Sequence, residues 1–586
     1  MPSDAKVLLQ ESDDTGKSRW LEFSSPARIL IARQLNEILP ALEELDAAIK
    51  RGYWAAGFIA YEAAPAFDPA LRTRQPGPLP LLWFGLYRKR QVRITPEFPS
   101  LGKTDPALFQ ALEKPWKANV SPAVFRRAIA AIRRKIAAGE TYQVNYSFRL
   151  RAPFRGDFGA LTSALLAAGQ TNYGAYLDLG DHALCSLSPE LFFRRAGDRI
   201  ICRPMKGTAP RGLTPAEDQR IAAELQQSAK NRAENIMIVD MVRNDLGRIA
   251  RPGSVRAEKL FAIERHATLW QMTSTVSAKT HASWPEIFRA LFPCASITGA
   301  PKVQTAKIIA GLETAPRGIY TGAIGFIAPD GRAQFNVAIR TLHLDRQRSR
   351  LEYGTGAGIT WDSRADSEWQ ECRTKALALT PTPPFELLET MLWRPGHGYT
   401  LLARHLLRMS DSAKYFGFQF SRPQVMRELH CAAARFPHHD QRVRLLLDRA
   451  GHTRIEATRM PDTKAWEIAL ARTPVNSTDY FLFHKTTRRA IYEAALRQHP
   501  GCDDILLFNE RGELTESCFA NLVVVRRGRW LTPPVTCGLL AGTQRAELLA
   551  RGKLHEAILR LTDLKRSDRV LLVNSVRGII ETQGVP

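Results

Sequence analysis

The sequence predicts an α+β chain of two domains, a large one over residues 1–380 and a smaller one over 385–586. Three observations lead there. At 586 residues the chain exceeds what a single hydrophobic core ordinarily serves. A proline-rich break, Thr380-Pro381-Thr382-Pro383-Pro384, interrupts it. Prolines remove backbone donors and disfavour helix, so residues 381–384 read as a short, stiff linker. Upstream of that break, amphipathic helical stretches alternate with apolar strand-like runs.

The elements follow in order. Residues 72–80 are rich in proline and glycine and read as a surface loop. Ser121-Pro122 caps a helix whose buried stripe is Phe125, Ile129, Ile132 and Ile136, with Gly139 at its end. Thr214-Pro215-Ala216-Glu217 has the form of a capping box, and a further helix runs from Ser228 through Glu234 to Asp245. Strands are expected at 322–327, 335–342 and 351–353, and a helix at 368–379 leads into the linker.

Hydrophobic residues make up 45% and charged residues 24%, the balance of a globular protein. No apolar run is long enough to span a membrane, and the first residues lack a signal peptide's apolar stretch. The eight cysteines show neither a CxxC pair nor metal-ligand spacing, so a reducing cytoplasm is the expected location. A formal charge of +24 raises a nucleic-acid partner as a rival reading. However, the cations are dispersed, and no basic block interleaved with aromatics, zinc finger or helix-turn-helix is found. No nucleic-acid or membrane partner is therefore expected.

Several segments place chemical groups beside glycine or on one helix face. Arg203-Pro204-Met205-Lys206-Gly207-Thr208 offers a lysine on an expected turn, and Ser188-Pro189-Glu190 ends an apolar strand. Glu234 lies on a helix, and Glu368 and Glu371 share a helix face at i,i+3. Joined by a third carboxylate, such a pair suits Mg²⁺ with waters retained. Ser296 to Lys302 and Gly354-Thr355-Gly356-Ala357-Gly358 read as glycine-rich turns whose amides suit a carboxylate, and neither is a Walker loop.

PMKGTAPRG, ENIMIVDMVRNDLGRI, SITGAPKVQTAKII, RGIYTGAIGFI and GAGITWDSRADSEWQECRTKA stand in the order seen in chorismate-using enzymes, which residues 1–380 resemble. The resemblance implies a β-sandwich-like domain with flanking helices. Lys206 in PMKGT resembles the PIKGT of the aminodeoxychorismate synthase branch rather than the PIAGT of the anthranilate branch. In that branch the lysine adds to C2 of chorismate as the C4 hydroxyl leaves, and ammonia then enters at C4. A lysine nucleophile must be neutral, which points to burial, Mg²⁺ or Arg203 as the cause of a lowered pKa. Glu190 matches the general acid, and Glu234, Glu368 and Glu371 match the magnesium carboxylates. Arg340, Tyr320, Thr298, Gly356 and Gly358 match substrate contacts. Gln271 stands where the family often has histidine and cannot carry a proton, and nearby His266 reads as structural. No glutaminase nucleophile is present, so a separate glutamine amidotransferase is the expected ammonia source.

Downstream, His405 to Met409, His484-Lys485-Thr486-Thr487-Arg488, Leu514 to Leu522 and Gly538 to Arg545 resemble class IV aminotransferase-like pyridoxal-phosphate enzymes. The resemblance implies a smaller α/β-type domain with pyridoxal 5'-phosphate on Lys485 as Schiff-base lysine, and Glu516 at the pyridine nitrogen. Arg408, Thr543, Gln544 and Asn574 or Ser575 are implied at the phosphate, and a homodimer through this domain is an expected assembly. TESCFANL looks more like the aminodeoxychorismate lyases than the branched-chain transaminases. An amino-acid transaminase is the alternative for this domain, and anthranilate or isochorismate synthesis is the alternative for the first. Two departures stand out: a shortened N-terminal edge, and Arg488 where an asparagine is common.

Overall fold

A computed structural model describes residues 5–13, 17–102, 116–168, 171–266, 269–376, 385–460 and 464–584. The linker at 381–384 and the end of the helix preceding it lie outside the described residues. The chain divides into two compact units. One comprises Met1–Pro210 and Ala222–Pro383, and the other comprises Arg211–Ile221 and Pro384–Pro586.

The first unit is built on two ten-stranded sheets. Val7, Leu9, Phe23 and Leu177 of one and Phe58, Trp83, Ile324 and Phe326 of the other share a core, so the sheets pack face to face. Helices cover both outer faces. Pro122–Ala137 and Lys302–Leu312 lie on one, and Ile38–Lys50, Ala229–Gly247 and Trp284–Leu291 on the other. Strands covered on both sides must be apolar along their length, which is why Leu82–Tyr87 reads LWFGLY and is wholly buried. The helix after Ser121 forms as the sequence predicts, with Val124 N donating to the Ser121 hydroxyl at 3.3 Å.

Two expectations change. The run 335–342 is not one strand: Ala333–Val337 belongs to one sheet and Thr341–Asp345 to the other. The chain crosses between them at Arg340, whose φ is +50°. A second crossing at Pro189-Glu190 joins His182–Ser188 to Leu191–Ala196, again in different sheets. The two crossings are tied together, because Leu187 N donates to Arg340 O at 3.0 Å and Val337 N to Glu190 O at 3.1 Å. The supposed glycine turn 354–358 is the interior of strand Arg350–Ile359, paired in unbroken register with Gln143–Pro153. Its glycines serve close approach: a β-carbon on Gly354 would lie 2.1 Å from Tyr320 Cγ.

Behind this strand a charged cluster is fully buried. Arg317 ion-pairs Glu313 at 2.8 Å and donates to Asn145 O at 2.6 Å and Ile297 O at 3.0 Å. Glu313 also accepts from Ser147 N and Oγ, and Arg149 lies 3.8 Å away.

The second unit has an antiparallel four-stranded sheet covered by helices Leu402–Phe416 and Arg422–Ala433. Its eight-stranded sheet is mixed, with Trp466–Leu470 parallel to Asp504–Phe508. Within this unit Arg211 forks onto Asp218 at 2.7 Å and stacks 4.1 Å from the centre of the Tyr415 ring. All eight cysteines are free thiols, and no described helix is long and apolar enough to cross a membrane.

Removing the Glu313 carboxylate would leave two buried guanidinium groups without their counter-charge. Glu313→Ala is expected to cost about 3–5 kcal/mol, read as a lowered urea midpoint of the first unit. An unchanged midpoint would deny the cluster its structural role.

Candidate active sites

The crossings at Glu190 and Arg340 open onto a cavity of about 390 Å³ in the first unit. Lys206, Glu234, Glu368 and Glu371 line it as well, with Tyr320, Gly356 and Gly358. Lys206 sits not on a turn but in the edge strand Met205–Pro210, where its register against Leu269–Lys279 shifts between Met205 and Thr208. Such a bulge re-aims a side chain, and Gly207 supplies the positive φ of +91° it needs. The bulge is held by Gln271, whose Nε2 donates to Gly207 O at 2.9 Å, and by Asn235, whose Nδ2 reaches Lys206 O at 3.4 Å. Gln271 thus has a backbone-holding contact that its amide, unlike a proton-carrying group, makes without titrating. A β-carbon on Gly358 would come within 3.0 Å of Lys206 Nζ, so glycine there makes room for the amine.

Burial pushes the Lys206 amine below its ordinary pKa, and the nearby Lys375 cation pushes the same way, against Glu234, Glu190 and Glu371. Arg203, the sequence's candidate for that effect, instead ion-pairs Glu264 at 2.5 Å, and Lys375 is the second cation. Glu190 is 4% exposed, and burial raises its carboxyl to about 7 despite a 2.5 Å hydrogen bond from Ser296 Oγ and the Lys206 charge.

Helix Ala365–Ala376 is locked by Trp369, which stacks on Phe148 at 5.0 Å and meets Phe125 edge-on. That anchoring turns Glu368 and Glu371 to the cavity. Burial and the neighbouring Glu371 charge raise the Glu368 pKa. Glu371 pairs with Lys375 at 2.7 Å, and Lys375 Nζ also donates to Gly356 O. Among the described residues, no three acid, histidine or cysteine side chains converge as a ready-made metal cluster. Thr298 does not line the cavity; it is fully buried and donates to Cys294 O at 3.1 Å. His266 is buried, and desolvation with the Arg340 and Arg203 charges lowers its pKa to about 4, so it stays neutral near pH 7.

A second cavity, of about 580 Å³, lies within the second unit and brings Lys485, Glu516, Arg408, Thr543 and Asn574 together with Ser575. Burial, with Arg408 and Arg489 nearby, brings the Lys485 amine down to about 8. Glu516 is 5% exposed and is raised by burial to about 7, while accepting from Tyr492 OH at 2.9 Å and Asn521 Nδ2 at 3.3 Å. Arg408 is clamped by both oxygens of Glu389 at 2.8 and 2.7 Å, and His405 Nδ1 lies 2.6 Å from that carboxylate. Burial would raise Glu389, but Arg408 and His405 outweigh it and hold the carboxyl at about 2. Thr543 opens helix Thr543–Ala550, so its amide and that of Gln544 belong to the first turn; the Gln544 side chain does not line the cavity.

The model for chorismate binding enzymes matches residues 7–381, more than half of the chain. The chain belongs to the chorismate binding enzyme family. Residues 386–583 match the model for class IV amino-transferases. Aminodeoxychorismate synthase component 1 of Salmonella typhimurium is 38% identical over 44% of this chain and 57% of its own length. Anthranilate synthase component 1 of Streptomyces coelicolor is also 38% identical, over 45% of this chain and 52% of its own. Identity alone therefore does not separate the two branches. The chain spans about half the length of the curated relatives it matches. The solved anthranilate synthase component I of Streptococcus pneumoniae aligns with a TM-score of 0.50 at 24% identity, over 65% of this chain and 93% of its own, a likeness of fold.

Ser296, Lys375, Tyr492 and Glu389 escaped the sequence reading. Glu389 and Tyr492 lie in otherwise apolar or amphipathic runs, where only the fold reveals a charged partner. Ser296 stands inside a glycine-rich motif whose sequence points to backbone amides and not to its hydroxyl.

Because the Glu190 carboxyl titrates above its value of 4.5 in an unfolded chain, the stability it lends is full at low pH. That stability is lost as pH rises from about 4.5 through about 7. Glu190→Gln should therefore gain on wild type across that window, by about 3 kcal/mol above pH 7, in urea melts at a series of pH values. A constant difference at all pH values would refute the raised carboxyl.

Proposed function

We propose that the first unit aminates chorismate at C4 to give 4-amino-4-deoxychorismate, and that the second removes pyruvate from that product to leave 4-aminobenzoate. One observation carries the reading: a lysine amine, lowered by burial, beside a carboxyl raised to about 7 in the same cavity. Neutral Lys206 can add to C2 of the ring. Glu190 gives its proton to the C4 hydroxyl, which departs as water as both conjugated ring double bonds shift. With C2 occupied, incoming ammonia bonds to C4, and the reverse shift expels the lysine. A site without that amine would leave C2 open to ammonia, which is the difference between the two branches. Arg340, Tyr320 and the backbone of Gly356 to Gly358 suit the substrate's carboxylates. Ammonia would come from a separate glutamine amidotransferase.

The oxygen-only donor set of Glu234, Glu368 and Glu371 fits Mg²⁺, which takes one or two carboxylates and keeps several waters, so no closed cluster is needed. When bound, the ion supplies positive charge to the substrate carboxylate. In the second unit an amine for an aldehyde, a buried carboxyl for a ring nitrogen, and Arg408 with the first-turn amides for a phosphate fit pyridoxal phosphate. That cofactor supplies an electron sink. The Lys485 amine, at about 8, takes and returns a proton readily near neutral pH. Glu389 fixes the guanidinium of Arg408, and Tyr492 and Asn521 fix Glu516.

Full-length protein given chorismate, Mg²⁺, ammonium and pyridoxal phosphate should release pyruvate and 4-aminobenzoate. Lys206→Ala should form no 4-aminobenzoate, and Lys485→Ala should accumulate 4-amino-4-deoxychorismate. Anthranilate as the wild-type product would overturn the assignment. The amination rate should fall as pH rises above about 7, where Glu190 loses its proton. Glu190→Gln should lose about 10²–10⁴-fold in rate together with that high-pH limb; a limb that survives the substitution assigns the acid elsewhere.

A further inference from the structure

The wall around Lys485 carries more positive charge than holding a phosphate requires. Three of its cations have acid partners in the same unit: Arg408 with Glu389, Arg444 with Glu456 at 3.1 Å, and Lys464 with Asp503 at 2.8 Å. Arg442, Arg488 and Arg489 line the same cavity, yet among the described residues none has a carboxylate within ion-pairing distance. They reach it from different places. Arg442 lies on strand Gln441–Leu447, between buried Gln441 and Val443 and on the face of Arg444. Arg488 and Arg489 follow the lysine after two threonines.

Dispersed surface arginines would simply be solvated. Two of these are instead held in place. The Arg488 guanidinium lies 4.3 Å from the centre of the Phe481 ring, and Arg489 lies 4.7 Å from that of Tyr492 while donating to Cys518 O at 2.6 Å. A planar fork fixed by stacking loses little freedom on binding and grips a carboxylate with two hydrogen bonds. The product assigned to the first unit is an amine with two separate carboxylates, one on the ring and one on the enolpyruvyl arm.

We propose that Arg442, Arg488 and Arg489 read the carboxylates of the amine substrate, so that the second unit selects amines bearing two carboxylates over those bearing one. This rests on the reading of that unit as a pyridoxal-phosphate enzyme and assigns its specificity to residues. It also gives a purpose to arginine at 488.

The test uses the full-length protein loaded with cofactor, and reads the change in cofactor absorbance on titration with 5-aminoisophthalate, with two carboxylates, or 3-aminobenzoate, with one. Wild type should bind the first at least about tenfold more tightly, and the Arg442→Ala, Arg488→Ala double variant should hold the two alike within about threefold. The Arg442→Lys, Arg488→Lys pair, which keeps the charge, should retain part of the preference and so exclude collapse of the fold. No preference in wild type, or a preference undiminished in the alanine pair, overturns the inference. Pyruvate release separates it from the reading beneath it. An active lyase whose KM for 4-amino-4-deoxychorismate is unmoved in the alanine pair defeats the arginine assignment alone. A wild type that prefers the dicarboxylate but never releases pyruvate defeats the lyase reading alone.

Discussion

The first unit depends on a charge pair that is fully out of water. Arg317 and Glu313 are each 2% exposed, and a pair so placed repays its desolvation only when every remaining donor and acceptor is satisfied. Here they are met by Asn145 O, Ile297 O, and Ser147 N and Oγ. Asn145 and Ile297 also line the Lys206 cavity. The cluster therefore fixes the back of the site while satisfying its own bonds, and it couples the cavity's shape to the integrity of the sandwich.

The site itself arises from a defect in that sandwich. Two sheets packed face to face leave little room for polar chemistry, because every inward position is needed for apolar contact. Where strands leave one sheet for the other, at Glu190 and Arg340, the pleat is interrupted and side chains turn into a gap. The bulge at Lys206 adds the amine from the edge strand beside it. Cavity, buried carboxyl and buried amine thus have one topological origin.

Much of this was legible. Ser121, Ser228 and Thr214 announce helix starts through local hydrogen bonding, which tertiary packing does not alter. Lys206, Glu190 and Glu371 could be picked out because short motifs keep their order along the chain. Other features could not. A break at Arg340 inside an apolar run carries no local signal, since a non-glycine residue at positive φ is imposed by the crossing and not by its own preference. Glycines 354–358 resembled a turn because their purpose, admitting Tyr320 and Lys206, depends on residues remote in sequence. Thr298 shares a motif with Ser296, yet its hydroxyl is spent on Cys294 O while Ser296 reaches Glu190.

The two cavities solve one electrostatic problem alike. In each, burial moves a lysine down and a carboxyl up, toward each other. For Lys485 and Glu516, values of about 8 and about 7 replace 10.5 and 4.5, so the two groups are separated by about one pKa unit instead of six. A unit is worth about 1.4 kcal/mol, so shifting a proton within such a site is cheap, where in water the same exchange would be opposed by several times as much. An exposed lysine stays charged and an exposed glutamate stays ionised, and neither can act as nucleophile or acid near neutral pH. Dry walls, with Lys375 beside one amine and Arg408 and Arg489 beside the other, favour the neutral form of both amines without any change in the residues themselves.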